Sequence, residues 1–186
     1  MIKVGIILGS TRPGRNGEAV AQWVHELATK RGDAEYELVD LKDYDLRHLD
    51  EPNYPAMGNY AHEHTKRWAE KIASFDAFVF VTPEYNRSIP GALKDAVDFL
   101  YAEWNNKVAG FVGYGVDGGA RAVEHLRQIL SQVSVATVAQ QVALSLFTDF
   151  ENMSEFRPAA IHEDKLGAVL DQVLAWSGAL RPLRAA

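Results

Sequence analysis

The chain contains no cysteine. Disulfides, thiolate metal sites and cysteine nucleophiles are therefore excluded. Long apolar runs are missing too, since nothing approaches the roughly 20 residues that a bilayer-spanning helix needs. Positive charge is scarce: 19 Lys and Arg stand against 25 Asp and Glu, for a net charge of −6. That balance argues against nucleic acid or any general polyanion as a partner. Any anion the protein binds must be drawn by local donors. The opening MIKVGIILGS is too short and too lightly charged for a signal peptide and reads as a first strand. A cytoplasmic protein without membrane insertion is the expectation. What remains is ordinary: 186 residues, 47% apolar and 24% charged, fit one domain over 1–186 with a sizeable core.

The organising stretch runs from Val4 to Val24, VGIILGSTRPGRNGEAVAQWV. It starts as a buried strand, breaks at Gly9–Gly17 and resumes as an amphipathic helix through Val20, Trp23, Val24, Leu27 and Ala28. In all, strand-like runs occur at Ile2–Leu8, Tyr36–Asp40, Ala77–Thr82, Val108–Tyr114 and Ala136–Val142. All but the second are nearly continuous in apolar residues, as in strands covered on both faces. Helical stripes lie between them: Trp68 to Ala73, Leu93 to Tyr101 behind Pro90, Val123 to Val133, and Leu166 to Leu174. Strand and helix alternate five times, which predicts an α/β fold with helices on both faces of a five-stranded parallel sheet. The flavodoxin-like order 2-1-3-4-5 is the simplest arrangement, and it puts a ligand at the carboxyl ends of strands 1 and 3.

Three loops converge on that edge. The first, Gly9 to Gly17, joins a strand to a helix N-terminus, where free N–H groups and the helix dipole suit a phosphate. Arg12 and Arg15 add charged donors. Its glycine spacing matches neither a dinucleotide fingerprint nor a P-loop. The second, Thr82 to Gly91, holds an aromatic ring and an amide in a proline-flanked turn, fit to stack on and hydrogen-bond a planar heterocycle. The blander alternative makes Tyr85 a core cap and Asn86 a turn residue. The third, Gly113 to Arg121, has glycines that let backbone approach something flat, while Asp117 could simply cap the following helix. A phosphate site, a ring site and a close-backbone site together describe a flavin mononucleotide pocket.

Other signals carry less. His62 and His64 flank Glu63, but residues two apart on a helix point to different faces, so a solvated helix start is expected and no metal site. The acidic segment Asp40–Glu51 lacks an EF-hand pattern and reads as a solvated loop. Trp23, Trp68, Trp104 and Trp176 read as packing residues. Two connections, Lys42–His62 and Ser145–Pro158, are long enough to suggest function. The second contains Phe147, Phe150, Met153 and Phe156 with no period of its own, and such groups left in water mark an interface. A homodimer or homotetramer is expected, formed through this loop or the third and fourth helices.

The set Gly9-Ser10-x-Arg12, Pro83-Glu84-Tyr85-Asn86 and Gly115-x-x-Gly118-Gly119-x-Arg121 resembles the NADPH-dependent FMN reductase family, flavodoxin-like enzymes that include quinone, azo-dye and chromate reductases. The resemblance implies that Ser10, Arg12, Arg15, Asn16 and Gly17 bind the FMN phosphate. It implies that Pro83, Glu84, Tyr85 and Asn86 contact the ribityl chain and ring, and that Gly115, Asp117, Gly118 and Gly119 border the ring. Many members carry serine and asparagine three and five residues after the arginine, where this chain has Arg15 and Gly17. The implied activity passes hydride from NADPH or NADH through FMN to a small acceptor, and no catalytic side chain is needed because the cofactor carries the chemistry. The rivals are a flavodoxin-type electron carrier and a non-enzymatic FMN-binding sensor.

Overall fold

A computed structural model describes residues 1–184. Strands Lys3–Leu8 (β1), Glu35–Asp40 (β2), Ala77–Pro83 (β3), Val108–Gly115 (β4) and Ala136–Ser145 (β5) form one parallel sheet in the order β2-β1-β3-β4-β5. This is the order expected from the alternation of strand and helix patterns. The inner strands β3 and β4 are buried along their whole length, as continuous apolar runs require. Among the described residues five α-helices cover the sheet: Gly17–Arg31 (α1), Glu63–Ala73 (α2), Gly91–Asp98 (α3), Ala120–Gln132 (α4) and Ile161–Arg184 (α5). Among the described residues, no helix is long and apolar enough to cross a membrane.

The two-residue period of β3 separates the core into two layers. Phe78 and Phe80 face α2, α3 and α4, where they meet Trp68, Leu93, Trp104 and Leu126. Ala77, Val79 and Val81 face α1 and α5, where they meet Val20, Val24, Val169 and Val173. The larger rings fill the first layer. The Trp68 indole donates to the Ala96 carbonyl (2.8 Å) and Trp104 to Val97 (3.1 Å), so both buried N–H groups are satisfied. Those carbonyls belong to the last turn of α3. The chain tightens there into a Leu100-to-Val97 bond of 3.3 Å, and the helix stops at Asp98 although its apolar stripe runs on to Tyr101.

Several expectations need correction. Trp176 is 47% exposed and does not pack into the core. The Ser145–Pro158 connection is not an unstructured apolar loop. It carries a short antiparallel hairpin, Phe150–Glu151 (β6) with Glu155–Phe156 (β7), that buries Phe150 against Tyr114 and Phe156, and Phe156 against Trp23. Only Phe147 and Met153 of its four large apolar groups stay well exposed. His62 and His64 do not diverge. Helix α2 begins at Glu63 with His62 in extended backbone before it, so the two rings stack at 5.2 Å and His64 binds Asp50 at 3.0 Å. The acidic segment is more than a solvated loop: Leu41–Tyr44 is a 3-10 turn, and Glu51 accepts from the amides of Ala61 and His62 at the start of α2.

At the amino end of the sheet, Lys107 is 5% exposed. Its ammonium donates to the carbonyls of Ile72 (2.7 Å) and Ala73 (3.3 Å), where the C-terminus of α2 favours a cation. Burial, and then the nearby charge of Arg184, pull its pKa down to about 8. An unfolded lysine keeps its proton to about pH 10.4, so between those values the unfolded chain binds more protons and stability rises with pH. The wild-type protein should therefore gain about 2 kcal/mol of unfolding free energy relative to Lys107→Met between pH 8 and pH 10. Denaturant titrations showing a constant difference across that range would contradict this.

Candidate cofactor site

The three loops predicted to meet at the carboxyl edge do meet, and backbone bonds sew them together. Gly9 donates to Val81 of β3 (2.9 Å), Glu84 to Tyr114 of β4 (3.1 Å) and Leu146 to Gly115 (2.9 Å). Ser10 is fully buried, and its hydroxyl lies 3.0 Å from the Tyr85 phenol, which joins the first loop to the second. Between them opens a cavity of about 90 Å³ lined by Arg12, Arg15, Asn16, Pro83, Glu84, Tyr85, Tyr114, Gly115 and Leu146. Roomier hollows of about 540 and 440 Å³ occur near Lys3 and Lys107, at the far end of the sheet from these loops.

Seven of the thirteen residues singled out in the sequence line this cavity. Ser10 sits behind it as a support. Gly17, Asn86, Asp117, Gly118 and Gly119 lie outside its lining. Tyr114 and Leu146 were not anticipated, since they read as ordinary strand and loop residues until β4 and β5 bring their ends beside the first loop.

The two arginines have different fates. All five N–H donors of Arg15 are engaged: Nε and Nη2 bind Glu18 (3.0 and 2.9 Å), Nη1 binds the Ser10 carbonyl and Asp40 (2.9 Å for the latter), and Nη2 also binds Asp40. Burial opposes the charge, but the Asp40 and Glu18 carboxylates outweigh it and raise the guanidinium's pKa. Arg15 therefore clamps the loop to the end of β2. Arg12, by contrast, is exposed, and among the described residues its side chain has no ion-pair partner. The helix beyond is open as well. Asn16 provides no side-chain cap to α1, and its amide donates instead to the Met153 carbonyl in the hairpin (2.8 Å). Gly17 spends its amide on the Tyr114 hydroxyl, and the next amides of α1, those of Glu18 and Ala19, are the donors left at its positive end.

The second and third loops are locked by one carboxylate. Glu84 accepts from the amides of Arg121 (3.1 Å) and Ala122 (3.4 Å) and from the Arg121 guanidinium. Those amides are in the first turn of α4, so a residue on a neighbouring loop caps this helix, where Gly119 has no side chain to do so. Asp117 pairs with Arg121 at 2.5 Å and is not the cap. Gly119 has φ +70°, and a Cβ there would lie 2.6 Å from the Tyr114 nitrogen, so only glycine serves. Gly17 is constrained differently: a Cβ would fall 2.6 Å from the Tyr114 hydroxyl. Burial of that phenol raises its pKa and keeps it neutral. Asn86 and Arg87 have φ of +49° and +70° between the paired Tyr85 and Ser88, a tight turn with mirror-image twist.

The sequence model of a family described as NADPH-dependent FMN reductase matches residues 2–149. The chain belongs to that family. An NAD(P)H-dependent FMN reductase of Schizosaccharomyces pombe is 42% identical to this reductase-family chain over 149 residues, 79% of the chain and 74% of the relative. A quinone reductase of Escherichia coli is 36% identical over 137 residues, 69% of each. Among solved structures, the flavoenzyme NAD(P)H:(acceptor) oxidoreductase FerB from Paracoccus denitrificans aligns with a TM-score of 0.73 at 25% identity, covering 96% of this chain and 98% of that one. The family match ends at Asp149, which is where this reductase-family chain enters its hairpin.

The donor set of the cleft fits FMN in part by volume and in part by surface. An enclosed space near 90 Å³ suits a phosphate-sized group and is well below the roughly 300 Å³ or more of a pocket that swallows a whole ligand. A planar ring held there would have to rest on the open edge. Gly115 keeps that edge clear: a Cβ there would only touch Glu84 at 3.4 Å, so the protein's own packing does not forbid a side chain. On the far side the lining is Leu146, in the connection secured by Asp149, which accepts from the amides of Ser145 (2.9 Å) and Ala159 (3.1 Å) and pairs with His162 (2.9 Å). Burial opposes ionisation of Asp149, but these donors outweigh it and hold its pKa below the usual range.

Because Arg15 is buried and spends every donor locally, Arg15→Ala should cost about 2–4 kcal/mol of stability by leaving the Ser10 carbonyl without a partner and Asp40 with only the Lys42 amide. Arg12→Ala should cost less than about 0.5 kcal/mol, as an exposed, unpaired side chain. Equal losses in paired denaturation curves would refute the division.

Proposed function

We propose that this family member is an FMN-dependent NAD(P)H oxidoreductase that delivers electrons to quinones or to other small acceptors such as azo compounds, chromate or free flavin. The observation that carries the reading is the convergence of three strand-end loops on a cleft with an unpaired arginine and an uncapped helix N-terminus, in a chain whose relatives are named FMN and quinone reductases.

FMN held in this cleft would supply the redox chemistry between a nicotinamide donor and the acceptor. The chain's own residues bind and orient. Arg12 offers its guanidinium to the phosphate, with the Glu18 and Ala19 amides of α1 completing the anion site. Arg15 acts one step removed, holding the loop that presents those donors. Tyr85 and Pro83 give a rigid wall for the ribityl chain and ring, with Ser10 fixing the Tyr85 phenol. Gly115, Gly118 and Gly119 leave the third loop low enough for a planar group to approach, with Asp117 at its rim. Glu84 keeps that loop in place by capping α4. Tyr114 and Leu146 line the cleft and exclude water from it. Asn16 contributes by fastening the hairpin, and Asn86 by making the turn beyond Tyr85. The proposal includes a cytoplasmic setting, and a homodimer or homotetramer formed over the exposed Phe147 and Met153.

The test begins with the visible spectrum of the purified protein and continues with steady-state oxidation of NADPH and NADH in the presence of a quinone, with and without FMN. Acceptor-dependent turnover supports the enzyme; FMN binding without turnover would favour a carrier or sensor. Arg12→Ala should weaken FMN binding about tenfold or more, as expected for loss of a charge-assisted hydrogen bond to phosphate. Unchanged affinity in a fluorescence titration would remove Arg12 from the site. Light scattering at micromolar concentration should show more than one chain per particle, and a monomer would rule the assembly out.

A further inference from the structure

Beside the cofactor cleft lies a second cavity, of about 310 Å³, lined by Arg87, Ala120, Arg121, Glu124, His125 and Gln128. It shares its border with the cleft, since Glu84 and Tyr85 line one and their neighbours Arg87 and Arg121 line the other. Its charges are not equally free. Arg121 is committed to Glu84 and Asp117. Glu124 is engaged by Arg127 at 3.3 Å. Ser88 holds the Nδ1 atom of His125 at 3.0 Å, which leaves Nε2 as the ring's uncommitted nitrogen. Arg87 is exposed and has no ion-pair partner among the described residues, so it is the surplus cation of the cavity.

The backbone makes Arg87 more telling. It occupies the second central position of the Tyr85–Ser88 turn at φ +70°, where glycine is the undemanding choice after asparagine. A long side chain held there costs about 1 kcal/mol of strain. The turn alone does not call for an arginine. A surplus cation at this place suits an anion in the adjoining cavity.

We infer that this cavity is the subsite for the ribose 2′-phosphate of the nicotinamide donor, with Arg87 as its principal ligand and His125 and Gln128 as supporting donors, so that Arg87 sets a preference for NADPH over NADH. The inference rests on the reading of the chain as a nicotinamide-dependent reductase. The two donors differ only in that phosphate, and a dianion next to a planar, five-donor cation is the pairing that separates them.

The test uses Arg87→Gly, which removes the cation and relieves the backbone, together with Arg87→Lys. Calorimetry with adenosine 2′,5′-bisphosphate and with adenosine 5′-monophosphate reads the subsite without turnover. The wild-type protein should bind the bisphosphate more tightly. Arg87→Gly should melt at the same temperature or higher, lose about tenfold or more of that affinity, and leave the monophosphate unaffected, with Arg87→Lys in between. In steady state the KM for NADPH should rise about tenfold while that for NADH stays within about twofold. Equal binding of the two nucleotides by wild type, or a variant with unaltered bisphosphate affinity and unaltered donor ratio, overturns the subsite. If neither donor is oxidised but the bisphosphate still binds through Arg87, the reductase reading falls and the anion site stands.

Discussion

The geometry of the cleft depends on a buried guanidinium whose donors are all spent within the protein. Arg15 ties the carbonyl of Ser10 to the carboxylate of Asp40, and so fastens the loop after β1 to the end of β2. Without that clamp, a loop of Thr, Arg, Pro and Gly would have little to define its shape. Ser10 is positioned by the same bond, and through its hydroxyl it sets the Tyr85 phenol on the next strand's loop. Glu84 then repeats the logic one strand further on, holding the first turn of α4. Two charged side chains spent on local bonds thus preorganise a surface whose remaining donors are free for an anion, as a binding site on loops requires.

This division of labour explains what could be read from the residues beforehand. The sheet order was legible because apolar runs of strand length alternate with helical stripes, and right-handed crossovers leave few ways to connect them. The convergence of the three loops followed from that order. The roles within the loops were less legible. Arg12 and Arg15 look alike in a line of text, and only the position of Asp40, at the end of the neighbouring strand, distinguishes the free cation from the structural one. Glu84 could not be recognised as the cap of α4 for the same reason, because its partner amides are 37 and 38 residues away.

The aromatic connection before α5 is half buried for a different reason. Phe150 and Phe156 had no period to reveal a partner, and their partners, Trp23 and Tyr114, belong to α1 and to the tip of β4. Packing across the fold absorbed half of the apolar groups. His62 and His64 show the reverse case. A helix that starts one residue late turned two diverging rings into a stacked pair.

The bond from Asn16 to the Met153 carbonyl joins residues 137 apart in the chain. The loop after β1 is therefore fastened to a hairpin wall that is synthesised long after it. A nascent chain can assemble its first strands and helix on the ribosome long before that wall arrives, because domains grow from the amino terminus. The first loop thus emerges well before the segment that holds Asn16, and a chain halted before Met153 would carry that loop without its long-range fastening.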